Sequence, residues 1–293
     1  MRVLVTGGVG FIGTNLIKRL IKEGHTVVSL DNYSTGKKEN EQKNCMYLNV
    51  DINNLEHMDN NLLSDFDVIF HMAALARIQP SLKRPQESIN ANVNGTLNIL
   101  ELARKGNIPV IYAGSSSFHH GLYGSPYAWS KYAGEQLCEL YSKVYNLNTS
   151  ICRFYNVYGP HQLESGEYST VLGIFERQLR NNEPLTITGD GEQRRDFTHV
   201  DDIVDGLYKC IGKEFKAEIF ELGRGENFSI NEIVDMFGTE RKYIPARKGE
   251  YPFTLCDYSK ANKTLDWLPN KNLKDYISEV ISNEKNLVRN DSV

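Results

Sequence analysis

The segment SSSFHHGLYGSPYAWSK, from Ser115 to Lys131, crowds three serines, two histidines and a Tyr-x-x-x-Lys pair into one short stretch. Tyr127 and Lys131 are four residues apart, so on a helix they share a face and the ammonium can act on the phenol. A tyrosine ordinarily loses its proton near pH 10, and lowering that to about 7 takes about 4 kcal/mol. One ammonium at about 4 Å, in an effective dielectric of about 20, supplies roughly that amount. Were the lysine farther off, another positive charge would have to supply the remainder. A phenolate poised near neutrality is a base toward an alcohol hydroxyl, and a serine hydroxyl beside it can help pass the proton. His119 and His120 are neighbours whose side chains diverge in an extended loop, and no third ligand is spaced to join them, so no metal site is expected. Trp129 faces another side of the helix and is expected in the core.

Tyr-x-x-x-Lys gains weight from what precedes it. VLVTGGVGFIGTNLIKRL sets Gly7, Gly10 and Gly13 between an apolar run and an amphipathic helix whose Ile12, Leu16, Ile17 and Leu20 share one face. Glycines at such a turn let the backbone approach a pyrophosphate, whose charge then meets unpaired helix amides. Asp31 ends the next apolar run and completes the context of a dinucleotide fingerprint. Its carboxylate would accept from the adenosine ribose hydroxyls and repel a 2′-phosphate, which favours NAD over NADP; Lys37 and Lys38 pull the other way, as cations able to answer a phosphate. Asp51, after the third apolar run, either touches adenine or caps INNLEHM.

The elements that must position these groups follow an alternating rhythm. RVLVT, HTVVSL, CMYLNV, DVIFHM, PVIYAG and TSICRF read as strands, with helices at FIGTNLIKRLIKEG, NANVNGTLNILELARKG and KYAGEQLCELYSKVYN. That order predicts an α/β fold, a Rossmann-type doubly wound parallel sheet with a smaller C-terminal α/β substrate domain. The serines then lie at the C-terminal edge of the sheet, where ligands of such folds gather. The expected division is residues 1–157 with about 196–222 for NAD, and about 158–195 with 223–293 for substrate. ISNEKNLVRNDSV reads as a polar tail that frays.

Composition excludes several function classes. The chain has 293 residues, 24% of them charged, with a net charge of -4 and no basic stripe, so no nucleic-acid partner is expected. Five scattered cysteines show neither a disulfide framework nor zinc spacing, which points to a reducing, cytoplasmic setting. No signal peptide and no membrane-spanning run is read from the sequence.

TGGVGFIG, HMAALARIQPS, NVNGTLNIL, SPYAWSK, RFYNVYGP, GDGEQRRDFTHVDD and RKGEYPFTLCDYSKA, in this order, resemble the extended short-chain dehydrogenase/reductases, specifically the NAD-dependent nucleotide-sugar epimerases. The resemblance implies Tyr127 as base, Lys131 as its partner and cofactor-ribose ligand, and Ser116 as the proton-relay serine, with Ser115 as the alternative. It implies a cofactor-binding set of Gly7, Gly10, Phe11, Ile12, Gly13, Asp31, Asn32, Asp51, Ile52, Ala73, Ala74, Asn92, Tyr127, Lys131 and Tyr155. Asn92 would have a structural or relay role near the site. For the substrate it implies Ser116, Asn156, Arg195, Arg247 and Glu250; Arg77 either meets a sugar carboxylate or, the preferred reading, anchors its loop. Arg194, adjacent to Arg195 in a strand, is expected to be exposed. One departure is evident: the loop between serine and tyrosine is shorter than the family's, with His119, His120 and Gly121 where Val-Tyr-Gly is usual.

Dehydratases and decarboxylases of the same family carry additional carboxylates at the serine cluster, where this chain has Ser116, Ser117 and Phe118. The implied reaction therefore needs one base and NAD: C4 epimerisation of a UDP-sugar through a transient 4-keto sugar. The sequence leaves open glucose/galactose, their N-acetyl forms and glucuronate/galacturonate. The competing readings are an NADPH-dependent 4-keto-sugar reductase and a non-catalytic dinucleotide sensor. A homodimer through two long helices per subunit, roughly Pro85 to Lys105 and Pro126 to Asn146, is implied by the resemblance.

Overall fold

The computed structural model describes residues 1–57, 65–247, 249 and 251–290. Its first half runs β1 (Arg2–Thr6), α1 (Phe11–Lys22), β2 (Thr26–Asp31), β3 (Cys45–Asn49), β4 (Val68–His71), α2 (Ile78–Lys83), α3 (Pro85–Ile89), α4 (Gly95–Gly106), β5 (Val110–Ser115), α5 (Pro126–Tyr145) and β6 (Thr149–Phe154). There follow β7 (Asn156–Tyr158), α6 (Val171–Arg180), β8 (Leu185–Thr188), β9 (Arg194–His199), α7 (Val200–Tyr208), β10 (Lys216–Leu222), β11 (Asn227–Ser229), α8 (Ile230–Phe237), β12 (Arg241–Ile244), α9 (Ser259–Leu265) and α10 (Leu273–Asn290).

Seven strands form one sheet in the order β10-β6-β5-β4-β1-β2-β3, every neighbouring pair parallel. The doubly wound fold expected from the sequence is present. Parallel neighbours require crossovers, and the helices that make them cover both faces. Strand alternation divides the apolar side chains between those faces. Val3 and Val5 of β1 join Leu16, Ile17 and Leu20 of α1 and Ile203, Val204 and Leu207 of α7. Leu4, between them in sequence, joins Ile99, Leu100 and Ala103 of α4 and Cys138 and Tyr141 of α5.

A three-stranded sheet (β11-β9-β7) and a two-stranded parallel one (β12-β8) are built from later segments. A third core gathers Leu172 and Phe175 of α6, Leu185 and Ile187 of β8, Ile233, Val234 and Phe237 of α8, and Leu273 and Ile277 of α10. The tail expected to fray from Ile281 is helical to Asn290, and its last three residues lie outside the described ones. Leu273, Ile277 and Val280 before it and Ile281 at its start fall at helical spacing and pack on that core, so the helix is seated before the tail begins. Among the described residues no helix is long and apolar enough to cross a membrane.

Candidate active site

The glycine loop joins β1 to α1. Gly7 has φ +72°, and a Cβ there would lie 2.8 Å from the Ala73 backbone, so it is both left-handed and pressed against the end of β4. A Cβ on Gly13 would lie 2.1 Å from the Gly7 carbonyl oxygen, which holds helix and loop in close contact. Gly10 caps α1 without a side-chain hydrogen bond, and no acidic residue stands in the first turn, which begins with Phe11 and Ile12. Side chains therefore leave the amino-terminal amides of α1 open to an anion.

Asp31 ends β2 beside this turn, accepting from the backbone N–H of Val9 at 3.0 Å and of Tyr33 at 2.8 Å. Burial nevertheless raises its pKa above the usual carboxylate value. Asn32 donates to Asp51 at 3.2 Å. Asp51 also accepts from the backbone and side chain of Asn53, at 2.8 and 2.9 Å, so of the two readings the structure displays the capping contact. Ile52, buried, opens that turn. Ala73 donates its N–H to the Thr6 hydroxyl, and Ala74 follows it out of β4 toward the loop that Asn92 holds. Asn92 sits in a π-helical turn, Asn90–Asn94. Its amide pairs with both backbone groups of Leu75 and donates to the Ser130 hydroxyl on α5.

Local chemistry fixes Tyr127. Ser125 caps α5 by accepting from Ala128 N–H at 3.1 Å, and Pro126 occupies the first helical position. Tyr127 thus lies in the first turn, its N–H donating to the Ser81 hydroxyl of α2. Tyr127, Lys131 and Glu135 follow at intervals of four along one face. The Tyr127 hydroxyl is 3.2 Å from Ser115 Oγ. Ser115, the last residue of β5, is thus the hydrogen-bonding neighbour of the phenol, whereas Ser116 opens the following 3₁₀ turn. Of the two serines weighed for the relay, the hydrogen bond to the phenol is made by Ser115, the alternative. Ser117 donates to Ser115 Oγ from both its N–H and its hydroxyl.

The electrostatics also differ from the expectation. Burial raises the Tyr127 pKa above 10; the Ser115 hydrogen bond and the positive charge of Arg77 act in the lowering direction. Burial lowers Lys131 to about 8, against the pull of Glu135. Its ammonium lies 4.4 Å from the centroid of the Tyr112 ring. Arg77, favoured from the sequence as a loop anchor, is thus a charge that acts on the phenol in the lowering direction. It is a loop anchor as well, donating to the carbonyls of Ser169 at 3.2 Å and Ala76 at 3.0 Å.

Sequence reasoning missed a buried charge network behind the serine. Glu135 accepts from Ser115 N–H at 3.4 Å and pairs with Arg153 of β6 at 2.6 Å, both side chains at most 5% exposed. Arg153 reaches on to Glu221 of β10 at 3.0 Å, and Glu221 meets His119 at 2.8 Å. The i, i+4, i+8 spacing of Tyr127, Lys131 and Glu135 is the one signal that pointed to it.

Of the substrate-side candidates, Asn156 and Arg195 lie on the paired strands β7 and β9. Arg195 of β9 is 8% exposed and bonds the Arg194 carbonyl. Arg194 is half-buried rather than freely exposed, because Asn227 and Glu232 hold its guanidinium. Asn156 is tied to the Asp196 carbonyl and the Thr254 hydroxyl, both at 3.1 Å. Tyr155 is buried, and burial drives its pKa upward. Arg247 is exposed, and Glu250 lies outside the described residues. Trp129, expected in the core, is 38% exposed on the outer face of α5. Successive helix residues are about 100° apart, so Trp129 presents a different face from Ala128, which is buried.

Comparison with known proteins agrees with this architecture. Residues 3–223 match the model of the NAD dependent epimerase/dehydratase family. A putative UDP-glucose 4-epimerase from Methanocaldococcus jannaschii is 34% identical over 97% of this chain and 98% of its own length. The crystal structure of a UDP-glucose 4-epimerase from Thermotoga maritima, determined with UDP-glucose, superposes with a TM-score of 0.91 at 30% identity, covering 98% of this chain and 100% of that one. A UDP-glucuronic acid 4-epimerase from Bacillus cereus, in complex with UDP-glucuronic acid and NAD, gives a TM-score of 0.87 at 29% identity, covering 98% and 100%. The chain therefore belongs to the NAD dependent epimerase/dehydratase family, as an extended short-chain dehydrogenase/reductase similar to UDP-glucose 4-epimerase.

Proposed function

We propose that this protein inverts C4 of a UDP-sugar with NAD as resident cofactor. The observation that carries the reading is the Ser115–Tyr127 hydrogen bond at the carboxyl edge of the parallel sheet, one helical turn from a buried lysine. The uncapped, acid-free start of α1 fits a pyrophosphate, and Asp31 fits an adenosine ribose. Gly7, Gly10, Gly13, Asp31 and Lys131 would hold the cofactor, which when bound supplies a reversible two-electron oxidation of the sugar carbon and a positive ring.

Tyr127 Oη takes the proton of the C4 hydroxyl, and Ser115 Oγ steadies that oxygen and shares the proton. Arg77 favours the phenolate from behind, but burial outweighs it in the unliganded protein, so Tyr127 becomes an effective base only when more positive charge arrives. Lys131, packed over the Tyr112 ring and within the field of Glu135, contributes its ammonium below about pH 8. Glu135 and Arg153 hold Ser115 in place through its N–H. Arg195 and Arg247 are proposed to meet the diphosphate with forked donors. The division of labour proposed is cofactor on residues 1–157 and about 196–222, nucleotide sugar on about 158–195 and 223–293. Two copies are proposed to pair through the outer faces of α4 and α5, where Leu97, Trp129, Leu140, Val144 and Tyr145 are exposed.

The test is incubation with UDP-glucose, UDP-N-acetylglucosamine and UDP-glucuronate, following C4 inversion by NMR. Inversion of at least one, without added NADH or NADPH, is expected. Consumption of NADPH with release of a reduced sugar would instead establish the reductase.

A further inference from the structure

The short loop after Ser115 leads through His119 and His120, and these two rings have different fates. His119 is anchored to Glu221, at 2.8 Å. His120 lies on the opposite side, its ring centroid 5.0 Å from that of Tyr251 at an interplanar angle of 35°, and 6.5 Å from that of Phe253. Its Nε2 is shielded from solvent and, among the described residues, has no hydrogen-bond partner. A buried polar atom left unpaired is costly, and in a binding cleft it marks a place for a ligand atom. The segment that His120 meets runs beside β9: Arg194 N–H donates to the Pro252 carbonyl at 2.9 Å, and Thr254 N–H to the Arg194 carbonyl at 3.0 Å. His120 follows Ser115 by five residues and meets the segment paired with β9, the strand that carries Arg195, whose charge acts on it. Phe253 is 55% exposed, an apolar surface at the edge of this cluster.

We propose that His120 is a substrate-contacting specificity residue: its Nε2 hydrogen-bonds a hydroxyl of the hexose while the His120, Tyr251 and Phe253 rings pack on the apolar C–H face of the sugar. The proposal rests on the UDP-sugar reading above. The ligand atom is placed on the sugar rather than the diphosphate for two reasons. An aromatic cluster suits the C–H face of a pyranose and not an anion. Burial, then the neighbouring charges of His119 and Arg195, oppose protonation of His120, so at neutral pH it adds no cation to a phosphate clamp. The same neutrality favours an uncharged hexose over a uronate.

The test uses the full-length protein and calorimetric titration with UDP, UDP-glucose and UDP-glucuronate. His120→Phe keeps a ring against Tyr251 and removes the nitrogen. It should weaken UDP-glucose about fivefold to tenfold while leaving UDP within about twofold. His120→Gln, whose amide nitrogen reaches the position of Nε2, should recover most of that loss. Equal weakening of UDP and UDP-glucose, no weakening of either, or wild-type preference for UDP-glucuronate over UDP-glucose overturns the proposal. If wild type binds UDP-sugars and His120→Phe is silent, this proposal alone falls; if wild type binds none of the three, the proposed function falls with it.

Discussion

Replacing Lys131 by Met separates what the lysine costs the fold from what it gives the site. The Lys131 side chain is buried on α5, and burial lowers its pKa from 10.5 to about 8. Below about pH 8 the ammonium exists in both folded and unfolded chains, and the folded state bears the full cost of burying it. As pH climbs from about 8 toward 10.5, the folded lysine sheds its proton while the unfolded one keeps it, and the cost disappears. At about 1.4 kcal/mol per pH unit, the gap corresponds to about 3 kcal/mol at pH 7. Against this stands the contact of the ammonium with the Tyr112 ring, worth up to about 2 kcal/mol when desolvated. Lys131→Met should therefore stabilise the cofactor-free protein at pH 7 by about 1–3 kcal/mol, a rise in Tm of roughly 2–5 °C. The advantage should shrink steadily between pH 8 and 10, and the variant should lose turnover. Calorimetric scans of both proteins at pH 7, 8, 9 and 10 measure this. A variant less stable at pH 7, or an advantage that does not change with pH, would show that Lys131 is not held against a desolvation cost.

Gly13→Ala should abolish nucleotide retention, because its Cβ would overlap the Gly7 carbonyl, whereas Gly10→Ala, whose Cβ would lie 3.2 Å from that oxygen, should be milder; nucleotide released on denaturation ranks the two. Glu135→Gln leaves Arg153 short of its buried partner and should cost about 3–5 kcal/mol, read as a fall in the urea midpoint. Leu140→Glu with Val144→Glu places charge on the exposed face of α5 and should give a monomer in sedimentation velocity, where wild type is expected as a dimer. In cofactor-free protein the Tyr127 absorbance change at 295 nm, obtained as wild type minus Tyr127→Phe, should appear only above pH 10, since burial raises that pKa.

What was readable in the sequence is what local pattern encodes. The six N-terminal strands and α1 follow from apolar runs and helical spacing, and Gly7, Gly13 and Asp31 from their order around β1 and β2. What was not readable depends on distant partners or on a one-residue register. Ser115 and Ser116 are separated by the end of β5, the first closing the strand and the second opening the turn. Arg77 acts on a tyrosine fifty positions away, and Arg153 meets Glu135 and Glu221 across separations of 18 and 68 residues. Trp129 was placed in the core because it faces away from Tyr127 and Lys131 on the helix, although that face proves to be an exposed one. The tail was judged by polar composition, although the helix it extends is already seated on a core by Leu273, Ile277 and Val280.

The account turns on Tyr127 acting as the base at C4. The most direct measurement is the rate of C4 inversion of the preferred UDP-sugar by Tyr127→Phe, followed by NMR, with bound nucleotide identified after denaturing the protein. The account predicts a fall of about 10²- to 10⁴-fold in rate with NAD still retained. A Tyr127→Phe protein that inverts the sugar at the wild-type rate would contradict it.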